Sequence, residues 1–397
     1  MMMERRSFLA SAGAIAASAA VLKGATAAMA APVEKNEASP AAIDPKEAVN
    51  RPANKPARFV VDVHQHWLPL EALKKTGRLR QVDGDTWAIE TQGISSLIYR
   101  DFYDINLASK VNTEAGVNLR FLLPSMEVTA LAATGMPMLD ASKKVHDATA
   151  QLIAQHRGHN PGSISLATVS PFETASIAEA ERAIKDLGFK GLCLESSWMG
   201  RWYDTEEVYP YFEFAQANGY PIVMHPPQLP YGYPIMNKYR LEETVGRPAD
   251  TAMSVARMIS SGLLDRYPDV QIVLVHMGGG VIPILGRLDF AHRLGYEGLP
   301  ADQHAHNKLL PSEYIRRNFY ADTMGFNLPM LNAVVKAFGV DRMLFGTDYG
   351  PVPISPAEHI ALVNQLDLNA SQREDIFWRN ANRLFHLSLD TTAGSSL

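Results

Sequence analysis

Four stretches of the 397-residue chain set histidine or aspartate at the end of an apolar run. They are "FVVDVHQHWLP" (59–69), "VMHPP" (223–227), "VLVHMGGG" (273–280) and "LFGTDYG" (344–350). In the first, Asp62, His64 and His66 stand at every second position. Successive residues of a strand point to opposite faces, so these three share one face. If that face is buried, each needs a partner, because an unpaired buried polar group costs roughly 1–3 kcal/mol. A metal ion is one such partner. Imidazole with carboxylate suits Zn²⁺, Mn²⁺ or Fe²⁺ rather than an all-oxygen Ca²⁺ site. Three or four protein ligands and a water leave the open position of a catalytic centre. The candidates are His64, His66, His225, His276 and Asp348. Asp62, one pleat deeper, reads first as a residue that hydrogen-bonds inside the barrel, with the orienting of a metal ligand as the alternative. A second H-x-H, His304 and His306, falls in a polar loop with no strand to aim both rings, and is not read as a metal site.

These residues require elements that bring them together. Eight strand-like runs occur: 59–66, 117–125, 163–169, 190–196, 220–227, 270–278, 319–323 and 342–350. Helical patterns fall between them at 141–157, 175–188, 206–219, 251–268, 281–293, 328–339 and 356–366. Such alternation predicts a parallel sheet with crossover helices. Eight repeats fit an α/β fold of the (β/α)8 TIM-barrel type. An open doubly wound sheet is the alternative, but no G-x-G-x-x-G turn follows the first run. Residues 67–103 form an insertion after strand 1 with strand character, and 229–249 and 295–317 read as long loops. Barrel enzymes place catalytic groups at the C-terminal strand ends. His64 and His66 end the first run, His225 the fifth, His276 the sixth and Asp348 the eighth.

Composition narrows the class. Net charge is −5 and the isoelectric point about 6.2, so neither nucleic acid nor a membrane surface is an expected partner. The single cysteine, Cys193, excludes an intramolecular disulfide and a cysteine-based zinc site. It lies in "KGLCLES" and reads as an inert core thiol. Residues 1–30, with Arg5-Arg6, a short Ala-rich apolar run and a closing "AMA", read as a twin-arginine-type export signal. The expected location is the periplasm or the exterior, with metal loaded before export. Residues 31–57 read as a flexible linker and 58–390 as the barrel domain.

In their order and spacing, "VDVHQHWLP", "VMHP", "HMGGG" and "GTDYG" resemble the amidohydrolase superfamily. Within it they resemble the branch of 2-amino-3-carboxymuconate semialdehyde decarboxylase and related aromatic-acid decarboxylases. The resemblance covers nearly all of 58–388, including the closing "WRNANRLFHL" helix. It implies one divalent metal, Zn²⁺ first and Mn²⁺ second, on His64, His66, His225 and Asp348. His276 falls where the family's histidine activates the metal-bound water. Lys190 starts a strand rather than ending one, so no bridging lysine for a second metal is expected. The resemblance further places Arg100 against the substrate carboxylate and Arg287 in the pocket of a neighbouring subunit, implying a homodimer. Trp198 and Trp202, with Tyr203 and Trp67, are candidates for an apolar wall around a planar ring. Asp322 is expected to make local hydrogen bonds.

Two chemistries can use such a centre. One is non-oxidative decarboxylation of an aromatic or unsaturated acid, aided by His276. The other is hydrolysis of a small lactone, ester or amide. The branch resemblance and the two arginines place decarboxylation first. A metal- or ligand-binding protein without catalysis is the third reading, against which His276 stands.

Overall fold

The computed structural model describes residues 59–74, 79–91 and 94–389, all within the unit Ala53–Leu397. The export-signal and linker expectations for 1–57 lie outside the described residues.

Eight parallel strands form the frame. They are β1 (Val61–Gln65), β5 (Leu119–Leu122), β6 (Gly162–Ser165), β7 (Leu192–Glu195), β8 (Ile222–His225), β9 (Ile272–Leu274), β10 (Phe319–Asp322) and β11 (Met343–Leu344). Most are continuous apolar runs rather than alternating ones, and seven of the eight are buried throughout. That is the pattern of strands buried on both faces, against the packed barrel interior on one side and the crossover helices on the other. The intervening helices bury one stripe each. In Ile177–Lys185, for example, Ala180 and Ala183 face the core.

The expected (β/α)8 arrangement is present, although the ladder is not one closed sheet. It divides into β1-β5-β6 and β7-β8-β9-β10-β11. Backbone hydrogen bonds cross both seams. Val63 N–H donates to Phe345 O at 2.9 Å and His66 N–H to Tyr349 O at 3.0 Å. At the other seam, Lys190 N–H donates to Ser165 O at 2.9 Å and Cys193 N–H to Ala167 O at 2.8 Å. Strand order around the ring therefore follows chain order.

The insertion after β1 has a fold of its own. β2 (Leu79–Asp83), β3 (Thr86–Thr91) and β4 (Ile94–Ile98) form an antiparallel sheet in the order β2-β3-β4. Leu68, Leu70, Leu73, Ile89, Ile98 and Phe102 make a small core beneath it. This sheet overhangs the C-terminal mouth of the barrel.

Two runs read as long strands are much shorter. The run 270–278 stops as a strand at Leu274, because His276 and Met277 adopt left-handed backbone, with φ of 58° and 54°. The run 342–350 pairs only at Met343–Leu344, and Asp348 also has positive φ, at 58°. Non-glycine residues are seldom found there, and such positions cluster at functional sites. The supposed loop 229–249 contains a helical turn, Tyr233–Met236, and a wide turn, Glu242–Gly246, that runs into helix Arg247–Ser260. That helix starts four residues earlier than its apolar pattern suggests, with Pro248 in its first turn, where a missing N–H costs nothing.

Candidate metal centre and active-site cavity

The three buried histidines at the ends of β1 and β8 each use one ring nitrogen as an anchor. His64 Nδ1 contacts Asp322 Oδ2 at 2.7 Å, His66 Nδ1 contacts Leu123 O at 3.1 Å, and His225 Nδ1 contacts Pro226 O at 2.7 Å. The partners accept only, so Nδ1–H donates in each case. The opposite nitrogen, Nε2, then points away from the anchor, and fixing a ring in this way is what orients a metal-ligating histidine. The Nε2 atoms of His64, His66 and His225 and Oδ1 of Asp348 are all buried without a hydrogen-bond partner.

These orphaned atoms converge. Asp348 Oδ1 lies 3.3 Å from His64 Nε2 and 3.2 Å from His66 Nε2, close but not aligned as hydrogen bonds. Asp348 Oδ2 lies 3.3 Å from His276 Nε2. Ligand atoms of His64, His225, His276 and Asp348 fall within 4.8 Å of one another. That group takes in His276 in place of His66. His66 is buried with its Nε2 unpaired beside the same carboxylate, whereas His276 is 18% exposed and already contacts Asp348. The donor set fits one divalent cation, and leaving four such atoms unpaired would otherwise be costly.

Electrostatics point the same way. Burial pushes His66 down, and burial with its histidine neighbours pushes His225 well down, so both rings are neutral near pH 7. Burial also works against a charge on His64, but Asp348 and Asp322 hold that ring up at about 10. Burial would raise Asp348, yet the surrounding imidazoles, His64 first, hold its carboxyl well below the usual carboxylate range.

The support extends outward. Asp62 accepts from His64 N–H (3.1 Å), Gln65 Nε2 (2.6 Å), and Thr347 N–H and Oγ1 (3.2 and 2.6 Å). It ties β1 to the segment that carries Asp348, which is the hydrogen-bonding role read for it. Asp322 does more than the local bonding expected of it. Besides anchoring His64, it accepts from the Met277 and Met324 N–H groups at 3.0 and 3.1 Å, holding the turn that presents His276. An acidic residue at a strand end was the available signal. His304 and His306 stay apart: His304 Nε2 contacts Leu299 O, and the His306 N–H donates to Ser260 O.

Above the histidines opens a cavity of about 670 Å³. His276 and Asp348 are at its floor, and Tyr99, Phe102, Met126 and Phe326 give it an apolar, ring-bearing wall. Polar contributions come from Glu127, Gln228, Arg240 and Arg247.

Several residues expected in this wall are elsewhere. Arg100 is exposed, donating through Nε to Asp104 Oδ2 at 2.9 Å and through Nη1 to Asp85 Oδ2 at 3.1 Å. It does not border the cavity, because two acidic neighbours on the outer surface hold it. Trp198 is 3% exposed and packed in the barrel core. Trp202, half-buried, packs against Tyr231 and Arg257. Neither tryptophan lines the cavity. Arg287 is exposed on helix Val281–Leu294, outside the cavity of its own chain. Sequence reasoning missed Glu127, Arg240 and Arg247, which sit in loops and first helical turns without periodicity to single them out.

A family model described as amidohydrolase matches residues 61–387, a span that includes all five residues at the strand ends. The chain belongs to the amidohydrolase family. Among curated relatives in the family, the chain is 28% identical over 286 residues to a gamma-resorcylate decarboxylase of Polaromonas sp., covering 69% of this chain and 85% of that one. It is 26% identical over 314 residues to a 2-amino-3-carboxymuconate-6-semialdehyde decarboxylase of Dictyostelium discoideum, covering 78% and 79%. Among solved structures it superposes on the dihydroxybenzoic acid decarboxylase of Polaromonas sp. JS666, with bound manganese and the inhibitor 2-nitroresorcinol. There the TM-score is 0.65 at 22% identity, covering 85% of this chain and 99% of that one.

Proposed function

We propose that this amidohydrolase-family chain is a metal-dependent carboxy-lyase that removes CO2 non-oxidatively from an aromatic or unsaturated carboxylic acid. One observation carries the reading: three unpaired imidazole nitrogens and an unpaired carboxylate oxygen meet beside His276 at the floor of a ring-lined cavity. The names of the decarboxylase relatives support it. A single divalent ion would be held by His64, His66, His225 and Asp348, and when bound it supplies Lewis acidity toward the substrate's oxygen atoms. Mn²⁺ and Zn²⁺ are the two candidates, Mn²⁺ favoured by the manganese in the neighbouring structure.

The chain's own residues account for the rest. His276 borders the cavity with Nε2 beside Asp348, and an imidazole can take and return a proton near neutral pH. Loss of CO2 leaves an electron pair on a ring or alkene carbon, and that carbon must gain one proton. His276 is placed to move it. The aromatic wall excludes water and holds the ring flat over the floor.

The test is a parallel assay of full-length protein loaded with Mn²⁺ or Zn²⁺. Substrates would be 2,6-dihydroxybenzoate (gamma-resorcylate), carboxymuconate-type acids, lactones and aryl esters. Bicarbonate release from an acid, abolished by chelation and restored by metal, is the expected result. New acid without bicarbonate would move the chain to the hydrolases, the second chemistry its floor permits.

The Arg5-Arg6 start supports export to the periplasm, checked by fractionation with an Arg5→Lys/Arg6→Lys control. Arg287 supports a homodimer in which each copy completes the other's cavity. On its helix Arg287, Phe290 and Leu294 share one face, with Phe290 61% and Leu294 68% exposed.

A further inference from the structure

Two polar groups in the cavity wall have no partner among the described residues. Glu127 lies in the first turn of helix Ser125–Ala132, which follows β5; it is 3% exposed, and both its carboxyl oxygens are buried and unbonded. Arg247 opens helix Arg247–Ser260 on another part of the wall, and its Nε is buried and unbonded. Both border the same cavity as His276 and Asp348. The other arginine there, Arg240, is occupied by Glu243, whose Oε2 accepts from its Nε at 2.9 Å. Each unpaired buried group costs roughly 1–3 kcal/mol, so two in one cavity need a reason.

We propose that Arg247 and Glu127 are the substrate-recognition pair of this cavity: Arg247 binds the carboxylate of the acid, and Glu127 hydrogen-bonds to a second oxygen substituent on the same molecule. The inference rests on the reading of the site as one that binds an organic acid, and it supplies the carboxylate grip that Arg100 does not. A guanidinium presents a planar fork of donors that matches a carboxylate, and that of Arg247 makes no hydrogen bond or ion pair among the described residues, with Glu195 only within electrostatic reach. Glu127 suits the opposite role. Burial, with the Glu195 carboxyl nearby, pushes it up to about 8. At neutral pH it is therefore an acid with a proton to donate, toward a hydroxyl, alkoxy or carbonyl oxygen. The class selected is a planar acid carrying such an oxygen, ahead of a simple benzoate.

The test measures dissociation constants on the metal-loaded full-length protein with three probes. These are benzoate (carboxylate alone), resorcinol (hydroxyls alone) and 2,6-dihydroxybenzoate (both). Arg247→Met should weaken both acids by about tenfold or more and leave resorcinol unchanged. Glu127→Leu should weaken resorcinol and 2,6-dihydroxybenzoate by a similar factor and leave benzoate unchanged. Glu127→Gln should recover most of that loss, since the amide still donates. Metal content and melting temperature are followed for each variant. If Arg247→Met does not fold, Arg247→Lys, which keeps the charge without the fork, must still weaken the acids. Constants unchanged in the Arg247 and Glu127 variants overturn the proposal, as does wild-type protein that binds none of the three. Failure to release CO2 with the binding pattern intact would instead overturn the decarboxylase reading and leave the pair in place.

Discussion

His64 sits between two carboxylates, Asp322 on Nδ1 and Asp348 near Nε2, and this has a measurable consequence. Its ring is held up at about 10, so at pH 7 a proton occupies the nitrogen that a cation needs. Metal binding must expel it. Raising the pH removes the competitor, so Mn²⁺ affinity should tighten about tenfold per unit between pH 7 and 9. Calorimetry in buffers of different ionisation enthalpy should count about one proton released at pH 7. A pH-independent constant would contradict the assignment. His276 gives a separable prediction: His276→Asn should retain metal yet lose on the order of 10²–10⁴-fold in turnover, read by metal analysis beside the bicarbonate assay. At this scale the sequence showed the strand-end histidines and Asp348 well, because the period of a strand and a following apolar break mark them. Glu127 and Arg247 were not legible. Their importance comes from having no partner, and that is a property of packing.

Among the elements, the short ends of β9 and β11 matter more than their length. His276 and Asp348 are aimed by left-handed backbone just beyond each strand, and the runs 270–278 and 342–350 give no local hint of it beyond their glycines. Gly346 is one that the site requires. A Cβ there would meet Asp322 Oδ2 at 2.8 Å and His64 Cβ at 3.0 Å. Gly346→Ala should therefore push apart the carboxylate and the ring it anchors, costing about 1–3 kcal/mol of stability and weakening metal binding. Denaturant unfolding and Mn²⁺ titration would check it; a fully stable variant with wild-type affinity would show that the packing there is looser than described. Arg100 was misplaced by the resemblance for a reason also found at this scale. The helix Arg100–Tyr103 lies beside Asp85 of the inserted hairpin, and Asp104 caps the next helix, so two acids claim the Arg100 side chain at the surface.

For the whole molecule, strand number, order and the (β/α)8 plan follow from the alternation of apolar runs and amphipathic stretches. The two seams do not: there the strands are joined only by isolated bridges, Gln65 with Tyr349 and Ala167 with Leu192. If Arg287 reaches a neighbour's cavity, Arg287→Ala should lower activity while the sedimentation coefficient stays that of a dimer. An active monomer would end that reading.

The small antiparallel sheet of residues 79–98 carries its own apolar core, yet contributes Ile89, Ser96, Leu97 and Ile98 to the cavity. None of the metal-binding candidates is on it. Selection or engineering can therefore retailor which molecules are admitted by exchanging this one cassette, while the machinery beneath is inherited unaltered.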